Sequence, residues 1–472
     1  MKWVVYNLLF AAVYPFLLPG FLLRMLRRGG YANRFWDRFA IYPDGLFGRG
    51  RALYDSHAPK SNNRTIEQSN NSPVWIHAVS VGEVQVAGQL MREWRKAEPG
   101  VRFCFSTTSS TGWKIAEKEL GVDVDGRCRA DGDILIYNPL DFPNFVKSAL
   151  RTVRPRAIVL TESEIWPNFI RQAKKMGIPL FLINARVSDR SAPRYKAAKW
   201  FFGDVLSCFT KIFAQSDLDK ARLVAAGAPE ETVAVTGSFK FDVARRNEAK
   251  EKELREWIFS VGTTENAKNA KILLGGSTWP GEDEVLLKIY KKILTSDLHL
   301  HLSSTPLLVI APRHFEKADA VEANIRKAGF ACVRRSRVEK EVLHSTTTTS
   351  DYDFPPVFLA DTTGELMGLY GIADVVFVGK SLCAHGSQNM IEPCLCGKPT
   401  IVGPYTENFR PVMSDLLASD AIIQVKDAKE LEEMVIDLYG KGDAGLGARA
   451  KAAVERRLGV VAKCVAEIRE SL

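Results

Sequence analysis

DTTGELMGLYGIADVVFVGKSLCAHGSQNMIEPCLCGKPTIVGPYTENF occupies residues 361–409, and its punctuation decides the fold class. Two apolar runs, 375–378 and 399–402, end in Gly379 and Gly403. Uninterrupted apolar runs of this length suit strands buried on both faces of a parallel sheet. Between them, Gly386-Ser387-Gln388-Asn389 reads as a polar turn entering a short helix through Met390, Ile391 and Glu392. Asn389 and Glu392 are three apart and share a helical face. Strand, glycine turn and helix start together aim backbone N–H groups and a helix dipole at an anion. Glu365 follows Gly364 at a second helix start. This half of the chain reads as the holder of a nucleotide.

The same alternation extends toward the N-terminus. Residues 271–274 lead into Gly275-Gly276-Ser277-Thr278, a candidate anion-binding turn, and 307–310 lead into Ala311-Pro312-Arg313-His314. In the first half, 74–78 reads as a strand, with Glu83 at the turn into a helix over 84–94. Further strands are predicted at 101–106, 157–160, 179–183, 211–214 and 233–235. The last four lead into Thr161-Glu162-Ser163-Glu164, Asn184-Ala185-Arg186, Gln215-Ser216 and the Lys240 turn. Every polar cluster follows a strand, so a parallel sheet gathers them along its carboxyl edge, where open α/β sheets bind ligands. Position alone leaves Glu83 equally suited to catalysis and to a plain interaction with the helix dipole. Either Glu162 or Glu164 is the inward acid, and Lys240 serves the site or only pairs with Asp242. Asp131-Gly132-Asp133 has no partner cluster and reads as a loop rather than a metal site. Neither GxGxxG nor GxxxxGK[ST] occurs. The sum is two doubly wound, Rossmann-like α/β halves facing a cleft, built for group transfer from a nucleotide-linked donor.

The chain has 472 residues, 46% apolar and 25% charged, which suits two or three globular domains and excludes a disordered chain. The predicted organisation is an N-terminal membrane anchor over 1–28, an acceptor domain over 29–245 and a charge-rich linker over 246–270. A nucleotide domain over 271–440 and a C-terminal helix over 441–472 follow. The segment 3–23 is apolar and uncharged, long enough to cross a bilayer, with Pro15 and Pro19 favouring a tilted or interfacial helix. Arg24, Arg27, Arg28, Arg34 and Arg38 follow it, which puts the globular part in the cytoplasm. The net charge of +9 calls for an anionic partner. No basic, aromatic-interleaved stretch supports nucleic acid. The eight cysteines have no metal spacing and read as free thiols. The polar stretches 50–72 and 336–356 read as loops.

Seven stretches occur in one order: HAVSVGE (77–83), TESEIWPN (161–168), NARVSDRS (184–191), TGSFKFD (236–242), APRH (311–314), DTTGEL (361–366) and QNMIEP (388–393). Together they resemble the 3-deoxy-D-manno-octulosonic acid (Kdo) transferase family, GT-B glycosyltransferases of lipopolysaccharide synthesis. The resemblance runs from the N-terminal segment to about residue 425. It implies a CMP-Kdo donor, a lipid A precursor (lipid IVA) as acceptor at the inner membrane, inversion, and neither metal nor separate cofactor. It makes Glu83 the general base and assigns Glu162 and Lys240 to the transition state. Pro312, Arg313, Thr363, Gly364, Glu365, Asn389, Met390, Ile391 and Glu392 become the CMP contacts. The chain departs from the family pattern at Lys380, usually glycine, and at Ser387-Gln388, usually Gly-His. The alternatives are a GT-B transferase using a UDP-sugar and a nucleotide-sugar epimerase of the same architecture.

Overall fold

Apolar, β-branched runs buried on both faces leave the backbone one way to satisfy its N–H and C=O groups, a parallel sheet covered by helices. The computed structural model describes residues 2–28, 34–43, 46–47, 72–120, 132–243, 246–260, 270–296, 306–337 and 354–472. The loop read over 50–72, most of that over 336–356, and Asp131 lie outside them.

The first sheet contains β1 (Val74–His77), β2 (Phe103–Thr107), β3 (Ile134–Tyr137), β4 (Ala157–Thr161), β5 (Leu180–Ala185), β6 (Lys211–Ala214) and β7 (Val233–Val235). Their order is β3-β2-β1-β4-β5-β6-β7, and every pairing is parallel. The order reverses between β1 and β4, the switch point at which such sheets bind ligands. Alternate residues feed two cores. Trp75, Ile158 and Leu160 face one, and Val74, Ile76 and Val159 face the other.

The second sheet contains β8 (Ile272–Thr278), β9 (Leu307–Pro312), β10 (Cys332–Arg334), β11 (Val357–Leu359), β12 (Val375–Val378), β13 (Thr400–Val402) and β14 (Ile423–Gln424). It runs β10-β11-β9-β8-β12-β13-β14, again parallel throughout. Its switch point falls between β8 and β12. The predicted strands are present, β3 among them where strand residues follow Asp133, and β10, β11 and β14 join them as short strands.

Three expectations need correction. Gly275-Gly276-Ser277-Thr278 is not a turn but the end of β8. The glycines are there for packing: a Cβ on Gly275 would come within 2.4 Å of Leu286, and one on Gly276 within 2.6 Å of Tyr370. The C-terminal helix predicted over 441–472 is two helices, Leu446–Glu455 and Val460–Glu470, broken at Gly459 with φ 83°. The chain divides into Met1–Val243 with Gly459–Leu472, and Ala244–Leu458. The last helix therefore returns to the first unit. Val461, Cys464, Val465 and Ile468 are buried in its core, and Asp242 accepts the N–H groups of Gly459 and Val461 at 2.7 Å. The charge-rich stretch read as helix-forming does hold a helix, Glu248–Ser260, but this is no linker, since it packs in the second unit: a Cβ on Gly368 would lie 2.8 Å from Leu254.

The apolar N-terminus forms the helix Lys2–Arg28. Trp3 and Tyr6 pack on the first core, Tyr6 donates to Asp141, and Asn7 accepts from Asn168. Lys2 pairs with Asp204 at 3.1 Å. Val4, Val5, Leu8, Leu9, Val13 and Phe16 stand exposed, Phe16 at 85%. Among the described residues no helix is long and apolar enough to cross a membrane.

Candidate active site

In the first unit the strand ends bring four charged side chains together. Glu83 lies in the first turn of the helix Val81–Ala97 and is 8% exposed. Ser80 caps this helix through the Glu83 N–H, while Glu83 Oε2 accepts from the Val79 N–H at 3.0 Å and Oε1 from the Ser80 hydroxyl at 2.8 Å. This is a capping box displaced by one residue, legible as Ser80-x-x-Glu83 and overlooked in the sequence reading. Across the switch point, the hydroxyl of Thr161, the last residue of β4, lies 2.9 Å from Glu83 Oε2 and 3.0 Å from the His77 carbonyl. Glu83 is thus held at a fixed point of the sheet edge by groups from two neighbouring strands.

Glu162 follows Thr161 with φ 48°, a left-handed conformation uncommon outside glycine. Its Oε2 pairs with Arg186 Nε at 2.8 Å and its Oε1 accepts from Asn184 Nδ2 at 3.3 Å. Burial pushes the Glu162 carboxyl above its usual range. Arg186 and Lys240 oppose that shift and Glu83 adds to it. Burial lowers the Lys240 ammonium from its usual value, with Glu162 opposing. Two acids and two cations therefore share one edge, and part of their charge is uncompensated by water. The ambiguity over the inward acid resolves in favour of Glu162. Glu164 points elsewhere, accepting from Trp166 at 2.9 Å and lying 3.6 Å from His77. His77 is a buried hydrogen-bonder to Ser106, and Asp242 is committed to capping the last helix rather than to Lys240. Arg186 was quoted in the sequence only as part of a motif. Its place just beyond β5 was the available signal. Asp133 is equally committed, to Arg95 and to the Phe103 N–H.

In the second unit the predicted donor contacts also follow strands. Pro312 ends β9, and Arg313 donates its backbone N–H to Thr278 O at 3.0 Å. Thr363 is exposed, Gly364 has φ 83°, and Glu365 opens the helix Leu366–Ile372. Glu365 is gripped by Arg335 at 3.1 Å, by Lys250 at 3.3 Å and by Thr362. Burial opposes ionisation there, but Arg335 and Thr362 prevail and hold the carboxyl below its usual range. Asn389 accepts from the Ile391 N–H at 3.1 Å and donates to Glu392 at 3.0 Å. Burial raises the Glu392 carboxyl, and Asn389 partly offsets it. Met390 and Ile391 are 0% exposed, side chain and backbone alike. The turn after β12 already holds an anion of its own. Glu282, fully buried, accepts from the N–H groups of Trp279, Lys380, Ser381, Leu382 and Cys383 at 2.7–3.3 Å. The sequence reading missed this carboxylate.

A family model for 3-deoxy-D-manno-octulosonic-acid transferase (kdotransferase) matches residues 34–243. A 3-deoxy-D-manno-octulosonic acid transferase of Bordetella pertussis is 33% identical over 428 residues, covering 90% of this chain and 89% of the relative. The chain belongs to the 3-deoxy-D-manno-octulosonic acid transferase family. It is a glycosyltransferase.

Solved structures place the fold in the GT-B class. HepE of Anabaena, in complex with UDP, matches with a TM-score of 0.52 at 12% identity, covering 85% of this chain and 100% of that one. The UDP-GlcNAc 2-epimerase of Neisseria meningitidis bound to UDP-GlcNAc matches with a TM-score of 0.51 at 15% identity, covering 83% of this chain and 100% of that one. Transfer and epimerisation share this architecture, so the sequence relationship, not the fold, assigns the chain to the Kdo transferases. Two departures from the family pattern now have a backbone meaning. Lys380 and Ser387 have φ 57° and 60°, positions where glycine carries no Cβ penalty. The Lys380 ammonium lies 5.1 Å from the Trp279 ring centroid, a contact glycine could not make.

Proposed function

We propose that the chain transfers Kdo from CMP-Kdo to the lipid A precursor lipid IVA in lipopolysaccharide synthesis, with inversion and without a metal ion. The observation that carries this reading is the pairing of Glu83 and Glu162 at the β1–β4 switch point with Lys240 and Arg186 beside them. A sugar hydroxyl is a poor nucleophile and needs a placed base. In this reading the acceptor oxygen attacks the anomeric carbon of Kdo, its proton passes to Glu83, and the bond to the CMP phosphate breaks with its electron pair. Attack opposite the leaving group inverts the centre. Glu162 serves the positive charge that develops at the reacting carbon, and Lys240 the negative charge on the departing phosphate. Arg313 and the turns bearing Pro312, Thr363, Gly364, Glu365 and Asn389 through Glu392 hold CMP. These fixed cations and dipoles do in place of a metal what charge stabilisation requires. The exposed apolar face of the helix Lys2–Arg28 seats the enzyme on the cytoplasmic face of the inner membrane, where its lipid acceptor resides; Arg34 and Arg38 are instead committed inside the first unit, Arg34 to Asp37 at 3.1 Å and Arg38 to the face of the Tyr137 ring.

The test is direct. Purified enzyme is mixed with CMP-Kdo, tetra-acylated lipid A precursor and excess EDTA, and products are read by mass. A Kdo-bearing lipid supports the reading. Turnover of a UDP-sugar instead overturns the donor, and activity that requires added magnesium or manganese overturns the metal-free mechanism. Digestion of the globular part by protease added outside spheroplasts would reject the cytoplasmic orientation.

A further inference from the structure

We propose that Asn184 is a positioning residue that locks the Glu162 carboxylate and the Lys240-bearing turn into one constellation. This rests on the roles given to Glu162 and Lys240 above. Those two side chains follow β4 and β7, which are not neighbours in the sheet, so backbone pairing does not set their separation. Asn184 stands between them near the end of β5 and is 0% exposed. Its Nδ2 donates to Glu162 Oε1 at 3.3 Å, and its Oδ1 accepts from the N–H of Phe239, the residue before Lys240, at 3.1 Å. Its backbone carbonyl accepts from Gln215 Nε2 at 2.9 Å, which ties in the strand between.

The backbone has been bent to allow this. Asn184 has φ 51°, and the β5–β6 register shifts between Leu182 and Ala185. A bulge of this kind re-aims a side chain. Asparagine tolerates the left-handed region better than most residues, and its amide both donates and accepts. Aspartate shares the tolerance but has no N–H for Glu162. Glycine shares the conformation and lacks both bonds. Glu162 itself is left-handed, so two strained residues meet at one sheet edge, held by their surroundings, as at functional sites. The charged groups facing Glu162 are Arg186, Glu83 and Lys240.

Asn184→Asp keeps the acceptor for Phe239 and places a like charge against Glu162. Asn184→Gly keeps the backbone and removes the bridge. Both are compared with wild type and Glu162→Gln for kcat, KM and melting temperature across the active pH range. A misplaced catalytic group costs on the order of 10²-fold. Both Asn184 variants are expected to lose kcat by about that factor, with KM for CMP-Kdo little changed. In Asn184→Asp the acid limb of the profile moves to higher pH, because Glu162 holds its proton longer. Lowered melting temperature with normal kcat per folded molecule and an unmoved profile overturns the proposal. If Asn184→Asp fails to fold, the kcat of Asn184→Gly decides alone. Normal kcat in Glu162→Gln overturns the role of Glu162 and the proposal with it. A slow Glu162→Gln beside fully active Asn184 variants overturns the proposal and leaves that role standing.

Discussion

Glu83 carries two jobs that a single substitution separates. As the reciprocal partner of Ser80 it caps a helix, and as an acid held at the switch point by the Thr161 hydroxyl it is the proposed base. Glu83→Gln keeps an oxygen for the Val79 N–H and the Thr161 hydroxyl, and the Ser80 hydroxyl can rotate to accept. The structural loss is therefore at most ~1 kcal/mol. Loss of a general base costs ~10²–10⁴-fold in turnover. The expected result is that kinetic loss with CMP affinity and melting temperature near wild type. Turnover close to normal would remove Glu83 from the chemistry and leave Glu162 as the next candidate. Asp141 gives a second residue-level expectation. Burial raises its carboxyl to about 7, opposed by the N–H groups of Asn168 and Phe169 and the hydroxyl of Tyr6. The native state then holds a proton that the unfolded chain releases near its ordinary value, so this contribution is full below that value and is lost as pH rises to about 7. Melting temperature measured from acid to neutral pH should fall more steeply in wild type than in Asp141→Asn. Parallel curves would count against the shift. Glu83 and Lys240 could be named from the chain alone, because motif order and strand ends mark them. The left-handed backbones of Glu162, Asn184, Lys380 and Ser387 could not, because nothing in a residue's identity shows that its neighbours impose such a conformation.

At the scale of elements, the turn after β12 shows how a local pattern can be right in kind and wrong in detail. The sequence reading placed an anion at the turn 386–389, whereas the run of N–H groups that holds one lies earlier in the same connection, at Lys380 to Cys383, and the anion is Glu282 from the helix Glu282–Thr295. A buried donor left unpaired costs ~1–3 kcal/mol. Glu282→Ala should destabilise the second unit by about 3 kcal/mol or more and weaken CMP binding, read together by calorimetry with and without CMP. An unchanged melting transition would mean that water replaces the carboxylate at no cost. Strand positions were readable because burial on both faces leaves continuous apolar runs. Gly275 and Gly276 were misread as a turn because the same residue type serves flexible turns and close packing. Only the side chains of Leu286 and Tyr370 above them distinguish the cases.

The division of the whole molecule is the feature least visible in the chain. Met1–Val243 is completed by Gly459–Leu472, from the far end of the sequence. Burying an aliphatic side chain contributes ~1.5–3 kcal/mol, and a domain's net stability is only ~5–15 kcal/mol. Val461, Cys464, Val465 and Ile468 therefore represent a large share of the first unit's margin. A chain ending at residue 458 should show the first unit melting far below wild type, restored when the segment 459–472 is supplied in trans. A truncated protein of unchanged melting temperature would make that helix dispensable. What the sequence determined by itself was the class of architecture and the family. Apolar runs of strand length and helical periodicity are short-range properties, and seven ordered motifs are specific as a set. What only the tertiary structure decided was which groups meet. Glu162 rather than Glu164 faces Glu83, Asn184 reaches two turns at once, Glu282 fills its own anion site, and the last helix closes the first unit. Each of these depends on contacts between residues tens to hundreds of positions apart, and pairing at that range is set by packing and hydrogen-bond geometry, not by local pattern.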